Sequence, residues 1–167
     1  MPALRCAVFL AVAVGATSAF AQSREPAGHI LWAFGQVERV GADGAAGRLA
    51  QGDPVFEGDL IRTAPGSSAQ LVMRDEALIA LRAESSFRLA QYRYQGVEDG
   101  TERALVELLK GGVRSITGAI GRANKGNYQL RNEGHVIGIR GTDHETYAIE
   151  GGTYNRVTVG GTYLQSA

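Results

Sequence analysis

Cysteine, tryptophan and net charge are all scarce in this sequence. The 167 residues include one cysteine, one tryptophan and four prolines, and seventeen basic side chains balance seventeen acidic ones. The lone Cys6 cannot form a disulfide within the chain, so a folded domain must be stabilised by its apolar core. Because no basic surplus exists, we expect neither a nucleic-acid partner nor electrostatic binding to an anionic membrane.

The one long apolar run lies at the N-terminus. A short start with Arg5 precedes the apolar residues 6–15, and Ala19-Phe20-Ala21 is a small-x-small motif of the kind cut by signal peptidase. The pattern predicts a signal peptide over residues 1–21, cleaved after Ala21, and a periplasmic mature chain. Since the run is too short to span a bilayer, we expect no stable membrane insertion after cleavage.

The mature chain begins with a polar lead that contains Pro26, so residues 22–34 are predicted to form a lead segment and a first strand. Alternation puts Ile30, Trp32 and Phe34 on one face of that strand. A tryptophan on the apolar face of a strand is more often a core anchor than a surface for stacking sugars. We therefore predict that Trp32 is buried.

Turn residues divide residues 49–89 into short apolar segments. Gly52-Asp53 and Gly58-Asp59 are turn pairs, and the segments between the turn signals are too short for helices. Strands are therefore predicted over residues 59–63, 69–73, 78–81 and 86–89. The connection 74–77 allows only a hairpin, in which Glu76 follows Asp75 where a tight turn favours glycine.

The next segment is harder to assign. Residues 104–109 contain good helix formers but are only six residues long, so we predict a strand. A short helical turn is expected within residues 113–120. Residues 118–126 are predicted to be a loop, and the basic edge formed by Arg122 and Lys125 is interpreted as a solvated turn rather than an anion site.

The stretch Val136-Ile137-Gly138-Ile139-Arg140-Gly141-Thr142 places a single cation in an apolar strand. Its two glycines indicate a bulge or the close approach of another backbone. The candidate structural or interaction residues are Gly138, Arg140, Gly141 and Thr142. An arginine that pins its own fold is favoured over a ligand-binding arginine. On that interpretation Arg140→Ala should cost about 3 kcal/mol of stability or more, because a buried partner would lose its counter-charge.

Further strands are expected towards the C-terminus. Residues 127–131 and 135–139 form a hairpin pattern, and glycine pairs at 151–152 and 160–161 separate two last strands. Residues 150–167 are predicted as C-terminal strands, with a missing edge strand or a truncated product as one interpretation of the early end. The whole pattern predicts an all-β fold, an antiparallel sandwich or roll of short strands with at most one or two short helical turns.

No set of residues points to catalysis. The sequence has no Gly-x-Ser-x-Gly motif, and the predicted mature part has no cysteine nucleophile. Asp143-His144-Glu145 is the one compact set of metal-capable side chains, but a strand turns His144 away from its neighbours. His135 could join from another strand, although a salt-bridged edge is the favoured interpretation. We therefore expect no enzyme activity, no metal and no cofactor.

Four motifs occur in an order that resembles the FecR domain family. They are Gly52-Asp53 through Gly58-Asp59-Leu60-Ile61-Arg62-Thr63, the strand pair around Asp75, Lys110-Gly111-Gly112-Val113-Arg114-Ser115-Ile116-Thr117-Gly118, and Ile137-Gly138-Ile139-Arg140-Gly141-Thr142. The resemblance covers residues 35–149. It implies an all-β periplasmic domain that, in its best-known members, relays the occupied state of an outer-membrane receptor to an inner-membrane sigma-factor regulator.

The sequence departs from the family pattern at two places. Signalling members carry a cytoplasmic segment and a transmembrane helix, whereas this chain starts with the predicted signal peptide, so contact with a cytoplasmic sigma factor is not expected. Glu76 stands where the family usually has glycine, which affects only the turn. The resemblance therefore implies the domain and its location, with an unidentified envelope protein as the partner.

Two functions remain open from the sequence, beside a purely structural domain whose Arg140 locks its final strands. The first is a protein-interaction module in envelope signalling, whose strand edges or glycine-rich loops receive a partner chain by strand addition. The second is a module that binds cell-envelope glycans, with Trp32, Tyr92, Tyr94 or Tyr128 as stacking surfaces. The modest number of aromatic residues favours the first, and burial of Trp32 would remove the best platform for the second.

Overall fold

The computed structural model of the protein describes residues 24–139, 141–150 and 152–166. The predicted signal peptide and Arg140 lie outside these residues. The strands are β1 (Gly28–Phe34), β2 (Val37–Val40), β3 (Ala46–Arg48), β4 (Pro54–Val55), β5 (Leu60–Thr63), β6 (Ser68–Met73), β7 (Leu78–Leu81), β8 (Ser86–Arg93), β9 (Arg103–Ile116), β10 (Tyr128–Asn132), β11 (His135–Ile139), β12 (Asp143–Ile149), β13 (Gly152–Val159) and β14 (Thr162–Ser166). A short helix, α1 (Ala119–Ala123), and a 3-10 turn (Lys125–Asn127) lie between β9 and β10. The prediction of an all-β fold with few helical turns is confirmed.

The strands form two sheets that share β9. Sheet A has the order β4-β1-β6-β7-β9-β12-β13, and sheet B has the order β3-β2-β5-β8-β9-β10-β11-β14. Each pairing is antiparallel except that of β9 with β10, which is parallel. The inner faces of both sheets contribute to one apolar core. The architecture is therefore a curled, mainly antiparallel sheet, whose two parts share β9 and enclose the core.

Strand β9 belongs to both sheets because it bends at Gly111. Its first half pairs with β8 up to Lys110, and its second half pairs with β12 from Gly111 onwards. Gly111 has a φ of +86°, and a Cβ there would lie 2.6 Å from the Cα of Ser85. Only glycine combines this backbone conformation with so close an approach. The ambiguous segment 104–109 is strand, as predicted.

The neighbours of β9 occupy both of its sides. Strands β8 and β10 pair with the same β9 residues, 104–107, so they lie on opposite sides. Strands β7 and β12 likewise both pair with residues 113–116. The connection from β7 to β8 stays beside β9, because the backbone N–H of Arg82 donates to the carbonyl of Gly112 at 2.9 Å. One side of β9 therefore carries β7 and β8, and the other carries β10 and β12.

Alternating burial shows why these segments fold as strands. In β6, Ala69, Leu71 and Met73 are buried, while the residues between them face outwards and are half-buried. Burying a leucine or isoleucine side chain stabilises the fold by about 1.5–3 kcal/mol. Among the largest fully buried side chains are Ile30, Ile61, Leu71, Ile79, Leu81, Phe87, Leu89, Leu108, Leu130 and Ile137, which come from both sheets.

The β6–β7 hairpin turns as predicted and also fixes the start of α1. Glu76 has a φ of +65°, a conformation that usually requires glycine. Asp75 is buried, and its carboxylate accepts hydrogen bonds from the Tyr92 hydroxyl at 3.0 Å and from the backbone N–H of Ile120 at 3.3 Å. Hydrogen bonds from β8 and α1 therefore hold the turn in place. They stabilise the turn although Glu76 has a strained backbone conformation.

The prediction that Trp32 is buried is wrong. The register of β1 against β6 shifts between Ile30 and Trp32, and this bulge leaves Leu31 and Trp32 exposed at 40% and 41%, with Phe34 at 66%. A bulge adds one residue to a strand and re-aims the side chains that follow it. The alternation of inward and outward side chains is therefore interrupted at this bulge, which is why the prediction for Trp32 failed.

The prediction of a plain loop over residues 118–126 is also wrong. The backbone N–H of Ala119 donates to the carbonyl of Asp75 at 2.7 Å, and α1 begins there. The expected helical turn lies at the end of the predicted window, because β9 continues to Ile116. Within the described residues, no helix is long and apolar enough to cross a membrane.

Candidate functional site

The stretch 136–142 carries the chain from one sheet to the other. It leaves β11 of sheet B and enters β12 of sheet A, and residues 160–161 make the return crossing from β13 to β14. Gly141 and Gly160 have positive φ values of +69° and +85°. A Cβ on Gly160 would collide with the carbonyl oxygen of Gly141. The two crossings therefore pack directly on each other, but the residue that must lack a side chain for this contact is Gly160, because a Cβ on Gly141 would meet no atom within 4 Å.

Gly138 makes room for an aromatic ring. The β11–β14 register sets Gly138 opposite Tyr163, and a Cβ on Gly138 would overlap the ring carbons and hydroxyl of that tyrosine. The absence of a side chain at position 138 thus decides where the Tyr163 ring can lie. Gly138 has a structural role, which is to seat β14 on sheet B.

Thr142 bonds the crossing to the end of β9. Its backbone N–H donates to the Thr117 hydroxyl at 3.1 Å, and its carbonyl accepts from the backbone N–H and the hydroxyl of Thr117, both at 3.0 Å. Thr142 is 4% exposed, so these bonds are shielded from water. The Thr142 hydroxyl also lies 3.2 Å from Nδ1 of His144. Thr142 is therefore a structural residue that joins β9 to β12.

The three polar residues that follow use opposite faces of β12, as predicted. Asp143 accepts hydrogen bonds from Nε and Nη2 of Arg114 at 2.8 and 2.6 Å, and Glu145 forms an ion pair with Arg82. His144 points the other way and is fully buried. In the part of the chain that the structure describes, no three metal-capable side chains lie close enough to hold an ion.

Burial and charge shift the pKa values in this cluster in different ways. The Arg114 guanidinium beside Asp143 holds the pKa of that carboxyl below its usual value. Burial lowers the pKa of His144 from 6.5 to about 4. Nε2 of His144 has no hydrogen-bond partner among the described residues. At neutral pH the cluster therefore holds a neutral imidazole inside the core and two ion-paired carboxylates outside it.

The last two strands leave both sheets with an open edge. Among the described residues, β13 pairs only with β12 and β14 only with β11. An unpaired edge presents a row of N–H and C=O groups that can pair with another chain. Large apolar side chains on and next to these strands are also exposed, namely Ile149, Tyr154, Val157, Val159, Tyr163 and Leu164.

The candidate residues position this surface rather than form it. Gly138 seats β14, Gly141 packs against the link between β13 and β14, and Thr142 anchors the start of β12, which carries β13. Arg140 lies outside the described residues, so its predicted structural role stays a prediction. The apolar exposure of β13 was not predicted, although Val157 and Val159 before Gly160-Gly161 form an alternation that could have indicated it.

Of the aromatic residues predicted as stacking surfaces for a glycan, two are buried and Trp32 is exposed. Tyr92 and Tyr128 are buried at 8% and 2% exposure, and the hydroxyl of Tyr128 lies 2.7 Å from that of Ser115. Burial raises the pKa of Tyr128 to about 12. These two tyrosines are therefore core residues and cannot stack on a glycan. Trp32 is exposed, and its Nε1–H donates to Oε1 of Gln70 at 2.7 Å.

A comparison of the sequence with known protein families points to the same family as the four sequence motifs. A family model described as FecR protein matches residues 59–161. The chain belongs to the FecR family. The FecR match starts at the Asp59 turn and ends in the link after β13, so it includes both crossings between the sheets. No curated protein and no solved structure gives a significant match.

Membership of the FecR family suggests a signalling or regulatory domain, and FecR proteins are typically associated with the cell envelope. The family match extends beyond residue 149, where the motif resemblance ended, and takes in β13. The open edge of β13 is thus part of the FecR domain itself.

Proposed function

We propose that this FecR domain is a non-enzymatic interaction module of the periplasm, in which β13 receives an extended segment of an envelope protein. The observation that carries the proposal is the open edge of β13, an eight-residue strand that is paired on one side only within the described residues. Strand addition satisfies the main-chain donors and acceptors of such an edge, while side chains on the new strand give selectivity.

The side chains of β13 favour a particular kind of segment. Tyr154 and Val159 are exposed at 59% and 63%, so apolar partner side chains would bury them. Arg156 lies opposite Glu145 in the β12–β13 register, but Glu145 is already paired with Arg82. Because Arg156 forms no ion pair with a described residue, an acidic side chain on the partner strand would complement it. The expected partner segment is extended and apolar, with one carboxylate.

The sequence and the neighbouring side chains support the rest of the proposal. Residues 1–21 have the pattern of a cleavable signal peptide, and the FecR family is typically envelope-associated. The carboxylates of Asp143 and Glu145 are neutralised by arginines, and His144 is inside the core. The contacts of Asp143, His144 and Glu145 therefore support a structural role for these three residues. We expect the protein that binds β13 to be a periplasmic part of a membrane protein.

Site-specific cross-linking in the native envelope tests the proposal. A photoreactive amino acid replaces Tyr154 in the full chain, and mass spectrometry identifies the captured proteins. The matched control carries the same group at Phe34, which is exposed at 66% against 59% for Tyr154 but lies on β1, near the opposite end of sheet A. We expect one envelope protein to be captured repeatedly from position 154 and not from position 34.

A second set of variants tests whether the partner binds to the unpaired edge of β13. Val157→Lys and Val159→Lys add charges of the kind that protect natural sheet edges from pairing. Capture from position 154 should fall about tenfold or more, which corresponds to about 1.4 kcal/mol of binding free energy. Equal capture from both reporter positions, or undiminished capture with both lysines present, would contradict strand addition at β13.

The exposure of Trp32 favours a second candidate, a glycan-binding module. Trp32 and Phe34 stand two residues apart on one strand and are both exposed, so together they offer an aromatic surface for sugar rings. Sedimentation of the protein with purified cell wall tests this function. Wall binding that is lost in Trp32→Ala and kept in Val159→Lys would support the glycan module over the interaction module.

A further inference from the structure

The edge strands of the two sheets differ in how well they are protected from pairing with another chain. Within the described residues, sheet A ends at β4 and β13, and sheet B ends at β3 and β14. Strand β4 has two residues and begins with Pro54, and β3 has three residues and ends with Arg48. Short length, proline and charge are features that keep an edge from pairing. The edges at β3 and β4 are therefore protected.

Strand β14 has none of these protective features. Its five residues, Thr162-Tyr163-Leu164-Gln165-Ser166, include no charged side chain and no proline. Four of the five are exposed, with Tyr163 at 42% and Leu164 at 47%. Among the described residues β14 pairs only with β11, so the backbone donors and acceptors along its other side have no strand partner there. We call this side the β14 edge.

Contacts with neighbouring strands hold β14 in a fixed position. The Tyr163 ring lies against Gly138, and the Thr162 hydroxyl donates to Oδ1 of Asn155 on β13 at 2.7 Å. Nδ2 of Asn155 in turn donates to the hydroxyl of Thr146 at 2.8 Å, and Thr146 is fully buried. The start of β14 is thus tied to the core. An edge that is already ordered loses less entropy when another strand binds to it.

The side chains of β14 divide between the two faces of sheet B. Leu164 lies opposite Ile137, which is fully buried, so Leu164 is on the core face of the sheet. Tyr163 lies opposite Gly138 and is therefore on the outer face. Almost half of Leu164 is nevertheless exposed. A strand added at the β14 edge would place a side chain beside Leu164 and extend the core.

The absence of charge indicates which partner suits the β14 edge. Two copies of one chain that pair through the same edge are related by a two-fold axis, so each strand meets its own residues in reverse order. A charged residue near the centre would then lie opposite or diagonal to its own counterpart, which is destabilising. Strand β13 has Arg156 near its centre, whereas β14 has no charge to repel. The β14 edge therefore suits a second copy of this chain.

We propose that the protein forms a two-fold symmetric dimer in which the β14 edges of two copies pair in antiparallel fashion. Alignment of all five residues places Leu164 opposite its counterpart on the core face, and Tyr163 opposite Gln165 on the outer face. All the cross-strand pairs are then apolar or neutral. Sheet B continues through the axis from one copy to the other.

This dimer goes beyond strand addition at β13. The β13 edge belongs to sheet A and the β14 edge to sheet B, so one domain can use both. Strand β14 also follows the part of the chain that the FecR family model matches, which ends at residue 161. The dimer contact therefore lies outside the matched FecR region, and the dimer carries two β13 edges.

Sedimentation of the purified protein over the micromolar to millimolar range tests the proposal without any variant. A contact of five residues on each strand is small, so we expect a reversible dimer whose share rises with concentration. A protein that stays monomeric at every concentration would overturn the proposal.

Charged variants of Leu164 then test the symmetry of the contact. Leu164→Lys and Leu164→Glu each set like charges opposite each other, so each variant alone should dimerise about tenfold more weakly or less. A mixture of the two should dimerise again, because a lysine then faces a glutamate. The control is Val97→Lys, which adds the same charge at a residue exposed at 56% in the link between β8 and β9 and should dimerise like the natural protein. A mixture that stays monomeric would contradict the pairing.

Disulfide formation measures the register. The one natural cysteine, Cys6, lies in the predicted signal peptide, so the mature chain carries only an introduced thiol. Leu164→Cys should give a linked dimer on mild oxidation, because directly opposed residues have Cβ atoms about 4.5–5.5 Å apart. Val97→Cys is more exposed than residue 164, so equal linkage of the two variants would mean chance collision and would overturn the proposal. The outcome is distinct from that of strand addition, since Leu164→Lys should leave capture from position 154 at β13 unchanged.

Discussion

The buried imidazole of His144 should make the protein sensitive to mild acid. His144 is fully buried, and the only hydrogen-bond contact of its imidazole among the described residues joins Nδ1 to the Thr142 hydroxyl. Burial lowers its pKa from 6.5 to about 4. The unfolded chain therefore binds a proton at His144 below about pH 6.5, whereas the folded chain stays neutral there until about pH 4. Stability is full above this window and is lost as the pH falls through it.

The size of this effect follows from the two pKa values. At about pH 4.5 the unfolded state gains close to its full protonation free energy while the folded state gains little, so His144 lowers the free energy of unfolding by about 2.5 kcal/mol relative to neutral pH. For a domain of this size the loss corresponds to a fall in melting temperature of roughly 8 °C. Asp143 does not mask the effect, because Arg114 lowers the pKa of that carboxyl and moves its titration further into acid.

Urea unfolding of the protein and of His144→Gln across this pH range measures the effect. The glutamine cannot titrate, so the variant should lose about 2.5 kcal/mol less stability than the natural protein between about pH 7.5 and pH 4.5. His29→Gln is the matched control for the exchange of a histidine for a glutamine, because His29 is exposed on β1 and lies outside the core. Identical acid profiles for the protein and for His144→Gln would refute the assignment of acid sensitivity to the buried imidazole.

Three glycine and turn positions give further predictions. Glu76→Gly should stabilise the protein by about 1 kcal/mol in urea unfolding, because glycine adopts the positive φ at this position without strain, and a loss of stability would count against that reasoning. Gly111→Ala should lower stability by about 3 kcal/mol or more, since its Cβ would press on the Ser85 backbone, and a melting temperature near that of the natural protein would contradict it. Gly138→Ala should destabilise by about 2 kcal/mol through its collision with Tyr163, and adding Tyr163→Ala should restore part of that loss in a double-mutant cycle. Additive effects of the last pair would show that the ring and the glycine do not interact.

The local pattern of the chain was enough to predict much of the fold. Turn pairs around short apolar segments correctly indicated β5 to β8, and the hairpin from β10 to β11 was predicted within one residue. The failures have physical causes. The bulge in β1 breaks alternation at Trp32, and α1 depends on bonds from Asp75, which is more than forty residues away in the sequence.

The candidate site was predicted in part, through residues whose chemistry is local. A glycine in an apolar strand correctly indicated a close approach at Gly138, although the group that approaches is the Tyr163 ring and not another backbone. The surface near the glycines of the candidate site, the open edge of β13, depends on which strands pair with β9. Pairings between segments far apart in the sequence leave no periodic signal, so the position of this edge could not be foreseen.

The shared strand β9 also sets an order in which the domain can be completed. Its partners on one side, β7 and β8, precede it in the chain, but its partners on the other side, β10 and β12, are made later. A nascent chain that has reached only Ile116 therefore presents a fourteen-residue strand with one side bare. Such an edge pairs readily with other chains. The time between the emergence of β9 and that of β12 is when this protein most needs protection from aggregation.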